Sequence, residues 1–248
     1  MLEMPIHIDH VAYLIGFVGL VVGLALCSTF VRLVAPKIPY SALILSLMGV
    51  LCSGAVVADV YGLSPSSVSL VLPAVFLIGI VWAVSAATAR PCLRSWGASW
   101  KAANCLPELV WTLVLWIAGL IVVFFPLWFG YAAQSIVTGH FICNDSALHA
   151  LLTRGIEYVK ECHFPPFYHS AVARGSHSFS FYFNEIVVGL PASRTIVATS
   201  LCFLSLLVFW ADSFVRAFGL SSRFRFVIPI ISVSSVLLGA TAYPRPLS

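Results

Sequence analysis

The sequence predicts an all-α fold, a polytopic membrane helix bundle of about six transmembrane helices with one amphipathic outer-loop helix. Three observations predict it. Only 9% of the 248 residues are charged and 60% are hydrophobic, whereas a soluble domain normally carries about 25% charged residues. The mean hydropathy is +1.02, which leaves too little polar side chain to cover a water-facing surface. Finally, uncharged runs of about the 20 residues needed to cross the hydrocarbon core recur six times along the chain.

These runs are 11–31, 40–58, 69–89, 109–133, 195–211 and 226–243. The flank before the first contains Glu3 and Asp9 but no Lys or Arg, and no small-residue cleavage site follows, so this run reads as a retained helix. Pro36 and Pro39 break the chain sharply before the second run, and Tyr61-Gly62-Leu63-Ser64-Pro65 does so before the third. Trp96 and Trp100 share a helical face beside Arg94 and Lys101, so residues 90–108 are expected to lie flat at a membrane surface. Pro73, Pro126 and Pro229 fall in or near the ends of three runs, where neighbouring helices can satisfy a freed carbonyl. The fifth run is the shortest. The economical reading is a single integral membrane domain, 1–248.

Orientation follows from the basic residues in short loops. Arg32 and Lys37, then Arg90, Arg94 and Lys101, then Arg216, Arg223 and Arg225 occupy alternate connections, eight of the 13 basic residues. Those connections are expected in the cytoplasm. The N-terminus and the loop 134–193 are then extracytoplasmic, in a multi-pass protein of the cell membrane. The net charge of +4 does not imply nucleic acid, because no aromatic-interleaved basic patch accompanies it.

The loop 134–193 is the one polar excursion with room for a site. Leu148, Leu151, Leu152, Ile156 and Val159 recur at helical spacing, with Arg154, Glu157, Lys160 and Glu161 on the other face. The helix is expected to end before His163-Phe164-Pro165-Pro166, with residues 170–178 flexible. Phe179, Phe181 and Phe183 alternate with polar residues, which predicts an extended approach to the bilayer.

Asp145 and His149 lie one helical turn apart beside the apolar stripe. They suit a carboxylate base or metal anchor assisted by an imidazole. They equally suit a helix cap and a backbone-bonded histidine. Glu185 is either a second acid for that site or a solvated loop end. Arg194 either holds a phosphate or snorkels to the headgroups. Asp212 and Arg216, four residues apart, read as a structural ion pair, and Asp59 as a hydrated end of the second run. The seven cysteines show no C-x-x-C pair or zinc-finger spacing. Cys143 and Cys162 flank the loop helix, and a bridge between them requires the chain to fold back. The histidines His140, His163, His169 and His177 fit no metal motif. A Walker loop, G-x-S-x-G and H-E-x-x-H do not occur.

Asp145-x-x-x-His149 opening the loop helix, Phe181-Tyr182-Phe183-Asn184 leading back to the membrane, and Ala58-Asp59-Val60-Tyr61-Gly62-Leu63 form a pattern that resembles a known group. It is an uncharacterised family of actinobacterial multipass membrane proteins related to the GT-C glycosyltransferases. The resemblance covers most of the chain. Phe183 stands where the family usually has proline, and Val187 about where its second histidine belongs. Family members continue beyond the sixth span, so the chain resembles an N-terminal portion. The resemblance implies a transferase that takes a sugar from a polyprenyl-phosphate donor on the outer face, in cell-envelope glycan synthesis. Asp145 would be the base, sometimes with a divalent metal, and His149 its partner. The competing expectation is a non-catalytic scaffold or an inactive remnant that binds lipid or a protein partner.

Overall fold

The computed structural model describes residues 8–35, 37–69, 81, 85, 105–128, 171–189, 195–221 and 224–242. Among them every regular element is helical, so the protein is a helical bundle, as its apolar runs require. In chain order the long helices are α1 (Ile8–Val34), α2 (Tyr40–Val60) and α3 (Cys105–Trp128). Then come α4 (Ala171–Phe183), a π-helical turn Asn184–Val188, α5 (Ile196–Ser205), α6 (Leu207–Ala217) and α7 (Phe224–Ala242).

Four stretches are long and apolar enough to cross a membrane: Asp9–Arg32, Tyr40–Val60, Leu106–Phe124 and Ala198–Ala217. They correspond to the first, second, fourth and fifth expected runs. The sixth is α7, whose apolar part, Phe224–Ser235, is shorter. The third run, apart from residues 69, 81 and 85, and the surface segment 90–104 lie outside the described residues, while Cys105–Glu108 belongs to α3 rather than to a surface helix.

The helix boundaries follow from local rules. Pro39 precedes the first residue of α2 in an extended conformation, and the chain leaves α2 through Gly62 at φ 62°, a conformation that favours glycine. Glu108 lies in the first turn of α3, and Arg32 and Arg216 in the last turns of α1 and α6, each where the helix dipole favours its charge.

The fifth run departs from expectation. It continues past Ala211 to Ala217 and is broken at Leu206 into α5 and α6. The Ser205 hydroxyl donates to the Cys202 carbonyl at 2.6 Å and accepts from the Trp116 indole N–H at 2.9 Å. A Ser bonded back to its own helix competes with the regular ladder and bends it. Here Trp116 fixes the bend against α3. The extension carries Asp212 and Arg216 inside the bundle.

The largest correction concerns residues 170–188. The expected flexible stretch is helical from Ala171, and Phe179, Phe181 and Phe183 lie on α4 rather than on an extended strand. Residues 177–184 are all buried, so the alternation of aromatic and polar types does not separate an inner from an outer face. Phe179 and Phe183, one helical turn apart, stack at 5.5 Å. Phe179 meets Phe203 of α5 at 5.4 Å, and Phe183 meets Tyr13 of α1 at 5.1 Å. Phe17 and Trp116 extend this aromatic core towards Phe209 of α6.

Without a hydrophobic force between helices in lipid, close approach at small residues matters. A Cβ on Gly119 of α3 would lie 2.5 Å from a Val208 methyl of α6, whereas one on Gly49 meets nothing within 4 Å. Gly119→Ala should therefore destabilise the detergent-solubilised protein by about 1–3 kcal/mol through overpacking. Gly49→Ala should be neutral or slightly stabilising, and thermal unfolding of the two variants side by side checks this.

Candidate functional site

Two polar centres occupy opposite ends of the bundle. The first gathers where α1 and α6 end and α2, α3 and α7 begin. Asp212 of α6 is fully buried. Its Oδ2 accepts from Arg216 Nε at 2.8 Å and from the Ser41 hydroxyl of α2 at 2.8 Å, and Ser213 donates to Ser41 at 2.9 Å. Arg225 of α7 brings its Nε within 3.6 Å of Asp212 Oδ1. Glu108 of α3 bridges two helices, with Arg216 Nη1 on one carboxylate oxygen and Arg32 Nη1 on the other. The Arg32 guanidinium lies 4.7 Å above the Tyr40 ring, and that of Arg225 lies 5.9 Å from the Trp111 ring.

Five helices thus converge on three guanidinium groups and two carboxylates. Charges removed from water persist only when paired and hydrogen-bonded, and burial here makes the arrangement obligatory. The expected Asp212–Arg216 ion pair is present, and the structure adds Ser41, Glu108, Arg32 and Arg225 to it. No local spacing joins Glu108 to Arg32 or Arg216, because those contacts form only when helices distant in sequence pack.

The second centre is the joint between α4 and α5. Asn184, fully buried, opens the π turn. Its amide donates to the Ser180 carbonyl at 2.8 Å, and its Oδ1 accepts from the Thr195 hydroxyl at 2.9 Å. Ser180 and Thr199 share a hydrogen bond at 3.2 Å. The turn closes at Gly189, φ 67°. This bonding replaces, inside the bundle, the water that a widened turn would otherwise take up. Turns of this kind are rare and frequently mark functional sites. Between the buried α4 and α5 the turn leaves Glu185, Ile186 and Val187 exposed.

At the same end Asp59 is partly buried and accepts from the Ser178 hydroxyl at 3.1 Å, a partner additional to the water expected there. The Tyr182 hydroxyl donates to the Leu63 carbonyl at 2.8 Å. Burial first, and then the Asp59 carboxylate, push the Tyr182 phenol up from 10.0 to about 12.

Of the residues singled out from sequence, Glu185 is placed, on the exposed face of the π turn. Asp145, His149 and Arg194 lie outside the described residues, as do Cys143, Cys162, His140, His163 and His169. His177 is buried on α4. Among the described residues no group of three or more His, Cys, Asp or Glu could hold a metal ion. Cys27, Cys52 and Cys202 are free thiols within helices. Comparison with protein-family models, with curated proteins and with solved structures finds no match.

Two predictions follow from these geometries. Asp212→Asn leaves Arg216 and Arg225 facing a neutral group, and breaking a buried pair of this kind costs about 3–5 kcal/mol. The variant should unfold at markedly lower denaturant in detergent, while Lys37→Gln, at an exposed position, should not. For Tyr182, a raised folded pKa means that its contribution to stability is complete below pH 10.0 and is lost as pH rises towards about 12. Tyr182→Phe should accordingly show a shallower loss of stability across that interval than the parent, measured by unfolding at fixed alkaline pH values.

Proposed function

We propose that the protein is a multi-pass membrane transferase of GT-C type, or the N-terminal portion of one, that works on a polyprenyl-phosphate-linked sugar. Its N-terminus and the loop 134–193 face out of the cytoplasm. The basic end of the bundle faces in, in line with the distribution of Arg and Lys among the short connections. The observation that carries the reading is the π turn after α4. It fixes the returning half of the loop to the bundle through Asn184 and Thr195. It also presents Glu185 beside exposed aliphatic side chains, Ile186 and Val187. A carboxylate beside apolar surface suits a substrate whose reacting end is polar and whose tail lies in lipid.

In this reading the acceptor hydroxyl attacks the anomeric carbon of the donor sugar. The bond from that carbon to the phosphate oxygen breaks, and polyprenyl phosphate leaves with the electron pair. Asp145 takes the acceptor proton and releases it to water. His149, one turn later, orients or shares that proton. Arg194 contacts the departing phosphate, and Glu185 binds the acceptor or the sugar. Asp145 and His149 are the groups that would hold a divalent metal, which would there favour the ionised form of the acceptor hydroxyl.

A non-catalytic scaffold is the second reading, and the ion cluster at the basic end favours it. Those charges tie helices together and are accounted for without any reaction.

Sugar transfer from polyprenyl-phosphate donors, assayed in liposomes, separates the two. The catalytic reading expects activity in the parent that falls at least ~100-fold in Asp145→Asn, the usual scale for a lost general base. A parent without transfer activity, or a variant as active as the parent, leaves the scaffold.

A further inference from the structure

The basic end of the bundle carries more positive than negative charge. Three guanidinium groups, of Arg32, Arg216 and Arg225, meet two carboxylates, of Glu108 and Asp212. Glu108 is engaged on both oxygens by Arg32 and Arg216. Asp212 Oδ2 is engaged by Arg216 and Ser41. What remains for Arg225 is Asp212 Oδ1 at 3.6 Å, beyond hydrogen-bond reach. Its Nε and Nη2, like Nη2 of Arg216, are buried and have no hydrogen-bond partner.

Arg225 also sits at the unfavourable end of its helix. It is the second residue of α7, where the dipole presents positive charge and favours an anion. Arg32 and Arg216, by contrast, lie in last turns, where a cation is stabilised. Of the five side chains in these ion pairs, Arg225 is the most exposed, at 27%, so the cluster reaches the surface there. Beside it on α7 Phe224, Phe226 and Val227 are exposed, and Trp111 lies under the guanidinium. A cation set in an exposed apolar collar complements a group that is itself a phosphate attached to hydrocarbon.

We infer that Arg225, backed by Arg216, binds the phosphate of an anionic phospholipid headgroup at the basic end of the bundle, with the apolar collar against the acyl chains. The site is distinct from the Asp145 loop and independent of any transfer reaction. It rests only on the bundle crossing a bilayer. The bound phosphate supplies the counter-charge that the cluster lacks and the anion that the start of α7 favours, so occupancy stabilises the joint between α6 and α7.

The full-length protein in detergent micelles, supplemented with phosphatidylglycerol, phosphatidylcholine or inorganic phosphate, tests this by thermal unfolding and by native mass spectrometry. Phosphatidylglycerol should raise Tm and remain bound, while phosphatidylcholine and inorganic phosphate should do neither at the same concentration. Arg225→Gln should weaken phosphatidylglycerol binding about fivefold, the effect of one basic residue near an anionic surface, and Lys37→Gln should not. Equal binding of the two lipids, or full binding by Arg225→Gln, overturns the site. Equal stabilisation by inorganic phosphate overturns the assignment to lipid. If Arg225→Gln does not fold, the three-ligand comparison on the parent protein decides alone.

Discussion

A carboxylate with no access to water, Asp212, sets the terms for one end of this protein. An ionised group so placed must be met by opposite charge and hydrogen-bond donors. Meeting that demand recruits Ser41 from α2, Arg216 from its own helix and Arg225 from α7. Arg216 then engages Glu108 of α3, and Glu108 engages Arg32 of α1. One buried charge thereby fixes the relative positions of five helices, in a medium where apolar surfaces alone have little preference for one another. Glu108, Arg32 and Arg216 each lie in the terminal turn whose dipole favours their charge, whereas Arg225 does not.

The opposite end is held by different means. There α4 is wedged among α1, α2 and α5 by aromatic rings, and its polar atoms are satisfied internally through Asn184, Ser180, Thr195 and Thr199. The π turn is the consequence. It lets the chain leave a buried helix and re-enter the bundle at α5 while exposing only Glu185 and its aliphatic neighbours. A loop anchored in this way offers a fixed platform at a membrane surface, whether the platform serves chemistry or binding.

The parts of this arrangement visible in the sequence are those set by local rules. Runs of about 20 apolar residues announce α1, α2 and α3 because lipid demands them, and Asp212 and Arg216 declare themselves by i,i+4 spacing. The role of Glu108 was hidden, since its two partners lie on α1 and α6 and no spacing along the chain links them. The helix α4 was hidden for another reason. Gly175 and Ser176 weaken helix propensity, and Phe179, Phe181 and Phe183 imitate the period of a strand. Burial of the whole of residues 177–184 removes the inside-outside contrast on which periodicity depends. The bond to Asp59 was hidden because its donor, Ser178, arrives from that same unrecognised helix. The candidate pair Asp145 and His149 remains a reading of sequence, and Glu185 alone among the proposed site residues has its place in the fold.

If the bundle crosses a bilayer, the ion cluster and the α4 joint face opposite sides of it. Labelling with a membrane-impermeant maleimide tests it most directly, using Lys37→Cys and Glu185→Cys in a background whose native cysteines are replaced by serine. Both positions are exposed. The predicted result is reaction of Glu185→Cys in intact cells and of Lys37→Cys only after permeabilisation. Reaction of both from one side, or the reverse pattern, would contradict it.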